Sequence, residues 1–574
     1  MLPSSRGLRW AWTGIFAVAL ATRFLGLPST LLSPAEAAQA LPALDAVRGQ
    51  GWPAAVESPL FLVGNALLFA LLGPGDGVAR LLPALSGVLI VMLPLLWRKT
   101  LGEVGALSAA ALILVSPLAL FAARRVESVA FGTLGAGILF SLLLQADDER
   151  QMGGRSTSML LAGGVALGVI GGPAFFDLLV PGLVVWAALH WCGARRPVKL
   201  AWRPVLVGVG LASLISIAFG LRWDGWAGLA DGLAAWLAGW RVISDGPTVY
   251  GLLALYEPAL LLLGLVGLIL LLRRPSTLTL AHWAIMAWSL LVLTVCILRP
   301  GGMSLSLSAV VLPIALLGGR AIGWVAEGVP SGSWRWVGLH ALVSFVLWIP
   351  GVLALTQHAS GLAVFDQVVI VLLGAGVLVG LQALLIFLFL LPLSADTVWR
   401  SALFGTTAIF LVIQVSFATN LAYVRSNSPV ESAVDTVTSP DLEHLRVTLL
   451  DLANRRGVRR DALAVTLLDG DSDLTTILRW QLRDCSRVEV SAIWPDDAQA
   501  IVIAPSTAAL TGTGAGDVWR GMPFTAIASY PGPIPRCEQI MPLRCSDAFK
   551  WYFYRATPYP LTLKSVVLWQ AGPF

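Results

Sequence analysis

Apolar runs long enough to cross a bilayer recur through the first 424 residues of this 574-residue chain, from Trp10–Leu27 onward. A helix needs about 20 apolar residues to span the hydrocarbon, and inside lipid only a helix or a closed barrel satisfies its own backbone groups. Repeated runs of that length therefore predict a polytopic α-helical membrane protein of about thirteen spanning helices. The charge distribution agrees: 12% of the chain is Asp, Glu, Lys or Arg, against about a quarter in soluble domains. Of the 71 charged residues, 31 fall between Arg425 and Phe574, so the last 150 residues read as an ordinary globular domain. The organisation is then a membrane domain over 1–424, with a first outer loop at 28–78, followed by a soluble α/β domain over 425–574.

Basic residues collect in cytoplasmic loops, and this rule orients the helices. With the N-terminus inside, Arg98 and Lys99, Arg150 and Arg155, Arg195 to Arg203, Arg273 and Arg274, Arg335 and Arg400 all fall on the cytoplasmic side. The run Ser58–Leu72 is short for a span and reads as an interfacial or re-entrant helix on the outer face. The last span, about Ser401–Leu421, exits, which places the C-terminal domain outside the cytoplasm of a plasma (inner) membrane. Arg124, Arg125, Arg222, Arg241 and Arg299 then lie on the outer side, against the rule, where they either bind anions or snorkel to headgroups. Trp223, Trp226, Trp236 and Trp240 suit an amphipathic helix at the headgroups, although the same aromatics could stack on sugars. The net charge of +5 forms no basic stripe, so no nucleic-acid partner is expected.

In the tail, Leu463–Leu468, Val488–Ala492 and Ala500–Ile503 read as short strands, and Leu442–Asn454 has helical spacing. Cys537 and Cys545 could pair in an oxidising compartment or remain free thiols.

Three outer segments offer chemistry. Ser33-Pro34-Ala35-Glu36 has the pattern of a capping box, yet a capping Glu36 keeps oxygen lone pairs for other work. Arg124-Arg125-Val126-Glu127 sets a carboxylate beside two guanidiniums, which clamp phosphate or form an interfacial ion pair. Glu57-Ser58-Pro59-Leu60 opens the interfacial helix. His190, His282, His340 and His358 lack ligand spacing, so any metal, such as a divalent cation, would need carboxylates.

In their order along the chain these features resemble the membrane-embedded C-type glycosyltransferases, which include protein O-mannosyltransferases and the aminoarabinose transferase of lipid A. Ala35-Glu36-Ala37-Ala38-Gln39-Ala40 stands where those proteins carry an acidic pair in their first outer loop. Glu57-Ser58-Pro59-Leu60 follows, then Gly73, Ala79-Arg80-Leu81, the basic turn Arg98, Lys99 and Gly102, and then Ser116, Pro117, Arg124 and Glu127. In the tail, Trp480-Gln481-Leu482-Arg483-Asp484 and Lys550-Trp551-Tyr552-Phe553-Tyr554-Arg555 are similar to the outer domain of a flippase-associated branch.

The resemblance implies an inverting transfer of a sugar from a polyprenyl-phosphate donor to a surface glycan, lipid or protein acceptor, with membrane lipid as a further partner. On that reading Glu36 and Glu127 are catalytic carboxylates, and Arg124, Arg125, Glu57, Arg80, Arg222 and Arg241 bind substrate. Ala35 falls where the family carries its aspartate. Ala35 therefore implies either that Glu36 substitutes or that the chain is an inactive relative that binds or assembles lipid-linked glycan. A transporter would show internal repeats or mid-membrane charges, and no convincing set appears.

Overall fold

A computed structural model describes residues 5–145, 154–192, 202–241, 249–273, 279–299, 303–358, 364–391, 393–434, 436–459, 462–485, 487–495, 501–507, 519–530, 551, 555–557 and 559–571. Arg150, Arg195, Arg196, Lys199, Arg274, Cys537, Cys545 and most of the Lys550–Arg555 run lie outside the described residues.

The membrane domain is helical throughout. In order it comprises α1 (Ser5–Phe24), α2 (Pro34–Val47), α3 (Pro59–Leu72), the single turn α4 (Asp76–Ala79), α5 (Leu81–Met92), α6 (Arg98–Leu114), α7 (Pro117–Ala122) and α8 (Val129–Gln145). There follow α9 (Arg155–Ile170), α10 (Ala174–Trp191), α11 (Trp202–Ser216), α12 (Gly228–Ala238), α13 (Val249–Tyr256), α14 (Pro258–Arg273) and α15 (Leu280–Leu298). The domain ends with α16 (Met303–Glu327), α17 (Trp334–His358), α18 (Val364–Phe389) and α19 (Ala395–Thr419).

Six helical runs among the described residues are long and apolar enough to cross a bilayer: Arg6–Ser29, Asp76–Leu114, Ala174–Trp191, Leu280–Leu298, Leu307–Glu327 and Ala395–Val424. Some of the other apolar helices are short where Gly and Pro divide the runs; Gly171, Gly172 and Pro173, for example, separate α9 from α10. Within Asp76–Leu114 the chain breaks at Gly102, whose φ of 76° is left-handed, beside Arg98 and Lys99 where the basic turn is expected.

Helix α16 is the centre of the bundle and packs against α6, α14 and α15. Its contact with α6 is backbone on backbone: a Cβ placed on Gly319 would lie 2.4 Å from the Gly105 carbonyl oxygen. Close approach at small residues is how helices associate in lipid, where apolar burial gives little drive. The segment expected to lie at the headgroups is a 3-10 turn, Trp223–Ala227, followed by α12. Trp223 and Trp226 are exposed there, whereas Trp236 turns inward and donates its indole N–H to Asp177, 2.8 Å away.

The C-terminal domain is one sheet of six strands: β1 (Thr436–Thr438), β2 (Ala464–Leu468), β3 (Arg487–Ser491), β4 (Ile501–Pro505), β5 (Trp519–Ser529) and β6 (Thr562–Ala571). Their spatial order is β1-β5-β6-β4-β2-β3, with β3 and β4 parallel to β2 and the other pairs antiparallel. Helices α20 (Asp441–Arg455) and α21 (Ser472–Gln481) supply its helical layer. Leu442, Leu445, Leu449 and Leu452 recur at helical spacing on α20 and are all buried. They join Val465, Ile501, Phe524 and Val566 of the sheet in one apolar cluster that continues into Ala37, Leu41, Phe61 and Phe69 of α2 and α3. The two domains thus share a core at the end of the bundle where α2 sits.

Candidate functional site

Ser33 caps α2, with Pro34 at the first helical position, and the capping box is fully formed. The Ser33 hydroxyl accepts from the Glu36 N–H at 3.3 Å, and the Ser33 N–H donates to Glu36 Oε2 at 3.0 Å. Glu36 is nevertheless committed well beyond the cap. Arg80 Nε donates to Oε1 and Nη2 to Oε2, each at 2.9 Å, and the Val126 N–H donates to Oε1 at 3.0 Å. The carboxylate, 1% exposed, is therefore enclosed by four donors. Burial alone would push its pKa up, but the charges of Arg125 and Arg80, with hydrogen bonds from Arg80 and Ser33, outweigh this and hold it at about 2.

Arg80 stands between α4 and α5 and ties the preceding loop to α2. Its Nη1 donates to the Leu27 and Thr30 carbonyls at 3.0 and 2.8 Å, and Nη2 to that of Leu31 at 3.3 Å. Arg125, past the end of α7, donates to Ser33 Oγ at 2.6 Å and lies 3.7 Å from Glu36 and 3.6 Å from Glu127. Its guanidinium sits over the Phe121 ring, 5.1 Å from the centroid.

Arg124 takes a different part. Its Nη atoms donate to the carbonyls of Thr22, Arg23, Leu25 and Gly26 at 2.6–3.4 Å, and its guanidinium lies 4.1 Å from the Tyr423 ring centroid. Thr22 and Arg23 are in the last turn of α1, whose final carbonyls lack intrahelical partners, and Leu25 and Gly26 follow it directly, so Arg124 closes a helix end. Arg23 does the same for α6 through Ile113 and Leu114, and Arg400 for α16 through Trp324 and Val325.

Glu36, Arg80, Arg124 and Arg125 line one small open cleft, and Ser426 and Asn427 of the interdomain linker complete its wall. Neither linker residue carried a signal in the sequence beyond turn composition. Glu127 stands beside this cleft through Arg125. The other anticipated residues lie elsewhere. Arg222 is buried and donates to the Pro53 and Ala54 carbonyls at 2.7 and 3.1 Å, while Glu57 and Arg241 are exposed and line no part of the cleft. Arg299, also expected to face an anion from outside, is paired with buried Asp177 at 2.7 Å. Ala35 is exposed on α2, beside Ala38 and Gln39.

Among the described residues no three His, Cys, Asp or Glu side chains converge. A divalent cation does not fit Glu36, because N–H donors and the Arg80 guanidinium take its oxygens.

No protein-family model matches the sequence, and no curated protein matches it significantly. Solved structures do match. ArnT from Cupriavidus metallidurans bound to undecaprenyl phosphate superimposes with a TM-score of 0.53 at 15% identity, covering 86% of this chain and 93% of that one. The chain has the fold of the membrane-embedded C-type glycosyltransferases. Apo ArnT gives a TM-score of 0.50 at 14% identity over 87% and 93% of the two chains. Within this C-type fold the cleft lies between the start of α2 with the loop before it, the α7–α8 connection and the linker that follows the last long helix. The archaeal oligosaccharyltransferase AglB from Archaeoglobus fulgidus matches at 0.45, with 11% identity over 84% and 65%, too distantly to add to the assignment.

Proposed function

We propose that this integral membrane protein transfers a sugar from a polyprenyl-phosphate donor to an acceptor on the outer face of the plasma membrane, its N-terminus being cytoplasmic. The observation that carries the reading is the cleft itself: three guanidiniums against the ionised Glu36 and the neighbouring Glu127, at an end of a C-type fold where the helical and α/β domains meet. That excess of positive charge suits a lipid phosphate, and ArnT, similar in fold, is bound to undecaprenyl phosphate.

In this proposal Arg125 contacts the phosphate, since Arg124 and Arg80 are committed to carbonyls and to Glu36. The acceptor oxygen attacks the anomeric carbon and the bond to the lipid phosphate breaks. Its electron pair stays on the phosphate beside Arg125, and Glu127 takes the acceptor's proton. Glu36, held at about 2 by its partners, is a weak base and acts by positioning Arg80 and Arg125. Ala35, exposed on α2 where the resemblance expects an aspartate, favours a second reading in which the protein binds lipid-linked glycan without turning it over.

The test uses full-length protein in lipid nanodiscs, polyprenyl-phosphate hexoses and cell-surface extract, with release of polyprenyl phosphate as readout. Turnover that falls at least 100-fold in Glu127→Gln supports transfer. Donor binding without turnover supports the second reading, and absence of both overturns each.

A further inference from the structure

The tail motif Trp480-Gln481-Leu482-Arg483-Asp484 has no part in the cleft, yet it makes polar contacts between the two domains. Trp480, 0% exposed, donates its indole N–H to Asp76 Oδ1 at 2.7 Å, and its ring packs on Phe69 with centroids 5.9 Å apart. Arg483 lies over the Trp480 ring and 3.5 Å from the same Asp76 oxygen. Arg479 Nη2 is 3.1 Å from both oxygens of Asp45, and Arg48 donates to the Arg483 carbonyl.

Both anchors lead to the cleft. Asp76 opens α4, the single turn whose next residue is Arg80, the bidentate partner of Glu36. Asp45 lies on α2 itself, nine residues from Glu36, or about 13 Å along the axis. The apolar cluster that joins Trp480, Ile477 and Leu478 to Leu41, Leu44 and Phe69 holds the same elements from behind. Helices of one and four turns cannot fix the aim of a buried ion pair by their own hydrogen bonds, so packing must supply it.

We infer that the C-terminal domain is a working part of the site: through Trp480 on Asp76 and Arg479 on Asp45 it sets the position of the Arg80–Glu36 pair, with Trp480 as a positioning residue. What the clasp serves rests on the proposed transfer reaction; the clasp itself does not. The Ser33 and Val126 amides donate to Glu36 and report its position without any substrate. Hydrogen exchange of full-length protein in nanodiscs would compare wild type with Trp480→Phe, Asp76→Ala and Asp76→Asn.

Trp480→Phe, which keeps a ring and deletes the donor, and Asp76→Ala should each speed exchange at Ser33 and Val126 at least tenfold. Asp76→Asn, which keeps an acceptor for the indole, should stay within threefold of wild type, and amides of α14–α16 should not change. Unaltered exchange at Ser33 and Val126 in both Trp480→Phe and Asp76→Ala overturns the inference, as does equal exchange in Asp76→Asn and Asp76→Ala. Should Trp480→Phe unfold the tail, Arg479→Gln at the domain edge gives the same reading through Asp45. In the transfer assay Trp480→Phe should raise the donor KM at least fivefold with kcat within twofold. A wild type without turnover would defeat the transfer reading and leave the exchange result to decide this one.

Discussion

Arg125 is aimed by the cap of the helix that carries Glu36: its Nη2 lies 2.6 Å from Ser33 Oγ, the oxygen that also accepts the Glu36 N–H. One serine thus sets the start of α2 and the direction of the guanidinium beside the cleft. Arg125 is also about 12% exposed at its side chain, so it can reach a ligand without leaving the wall.

Arg125→Gln should weaken binding of a soluble polyprenyl phosphate analogue such as farnesyl phosphate at least tenfold, because a charge-assisted phosphate contact is worth about 1.5–3 kcal/mol. Arg125→Lys should not restore wild-type affinity, since an ammonium cannot reproduce the planar fork that meets Ser33 and phosphate together. Arg124→Gln should lower thermal stability by uncapping α1 and change farnesyl phosphate affinity less than threefold. Titration calorimetry and thermal unfolding separate the two.

Glu36→Ala should cost about 3–5 kcal/mol of stability, because it leaves buried Arg80 with an uncompensated charge. The double variant Glu36→Ala/Arg80→Ala should lose less than the sum of the two single changes, and denaturant unfolding of all four proteins gives the coupling.

The pH dependence follows from the low pKa of Glu36. A carboxylate held at about 2 against an ordinary 4.5 stabilises the folded state fully above the ordinary value, and that contribution is lost as pH falls from there through about 2. The difference in unfolding temperature between wild type and Glu36→Gln should therefore be constant from about pH 5 to 8 and shrink below about 4.5. A difference that changes near neutrality would show that Glu36 titrates there and is available as a base.

Hydropathy made the membrane domain legible, and short apolar runs revealed β2, β3 and β4, because both signals depend on which side chains meet apolar surroundings. Strand β5 was hidden: it contains Gly521 and Pro523, residues that weaken a strand pattern, although the Trp569 ring lies across Gly521 where a Cβ would come within 2.8 Å. The cleft was half legible. Glu36, Arg124 and Arg125 were visible as polar residues in apolar sequence, but their roles depend on contacts made across 44 to 102 residues. Arginines placed against the charge rule read as anion ligands, while Arg124, Arg222 and Arg299 meet helix-end carbonyls, loop carbonyls and Asp177. A guanidinium fits all of these acceptors, and sequence does not say which comes near.

The close approach of α6 and α16 gives a paired prediction. A methyl group at Gly319 would meet the Gly105 carbonyl oxygen at 2.4 Å and the Ala109 amide nitrogen at 2.8 Å, both on the rigid backbone of α6. Relief requires the helices to separate along a seam at the centre of the bundle, so Gly319→Ala should destabilise by about 1–3 kcal/mol or more. Gly163 on α9 is the control: a Cβ there meets nothing within 4 Å. Gly163→Ala removes backbone freedom from the unfolded chain and should be neutral or stabilising by up to about 1 kcal/mol. Thermal unfolding in the same lipid compares the two. Equal tolerance would mean that α6 and α16 are not in backbone contact, and the central packing described above would have to be redrawn.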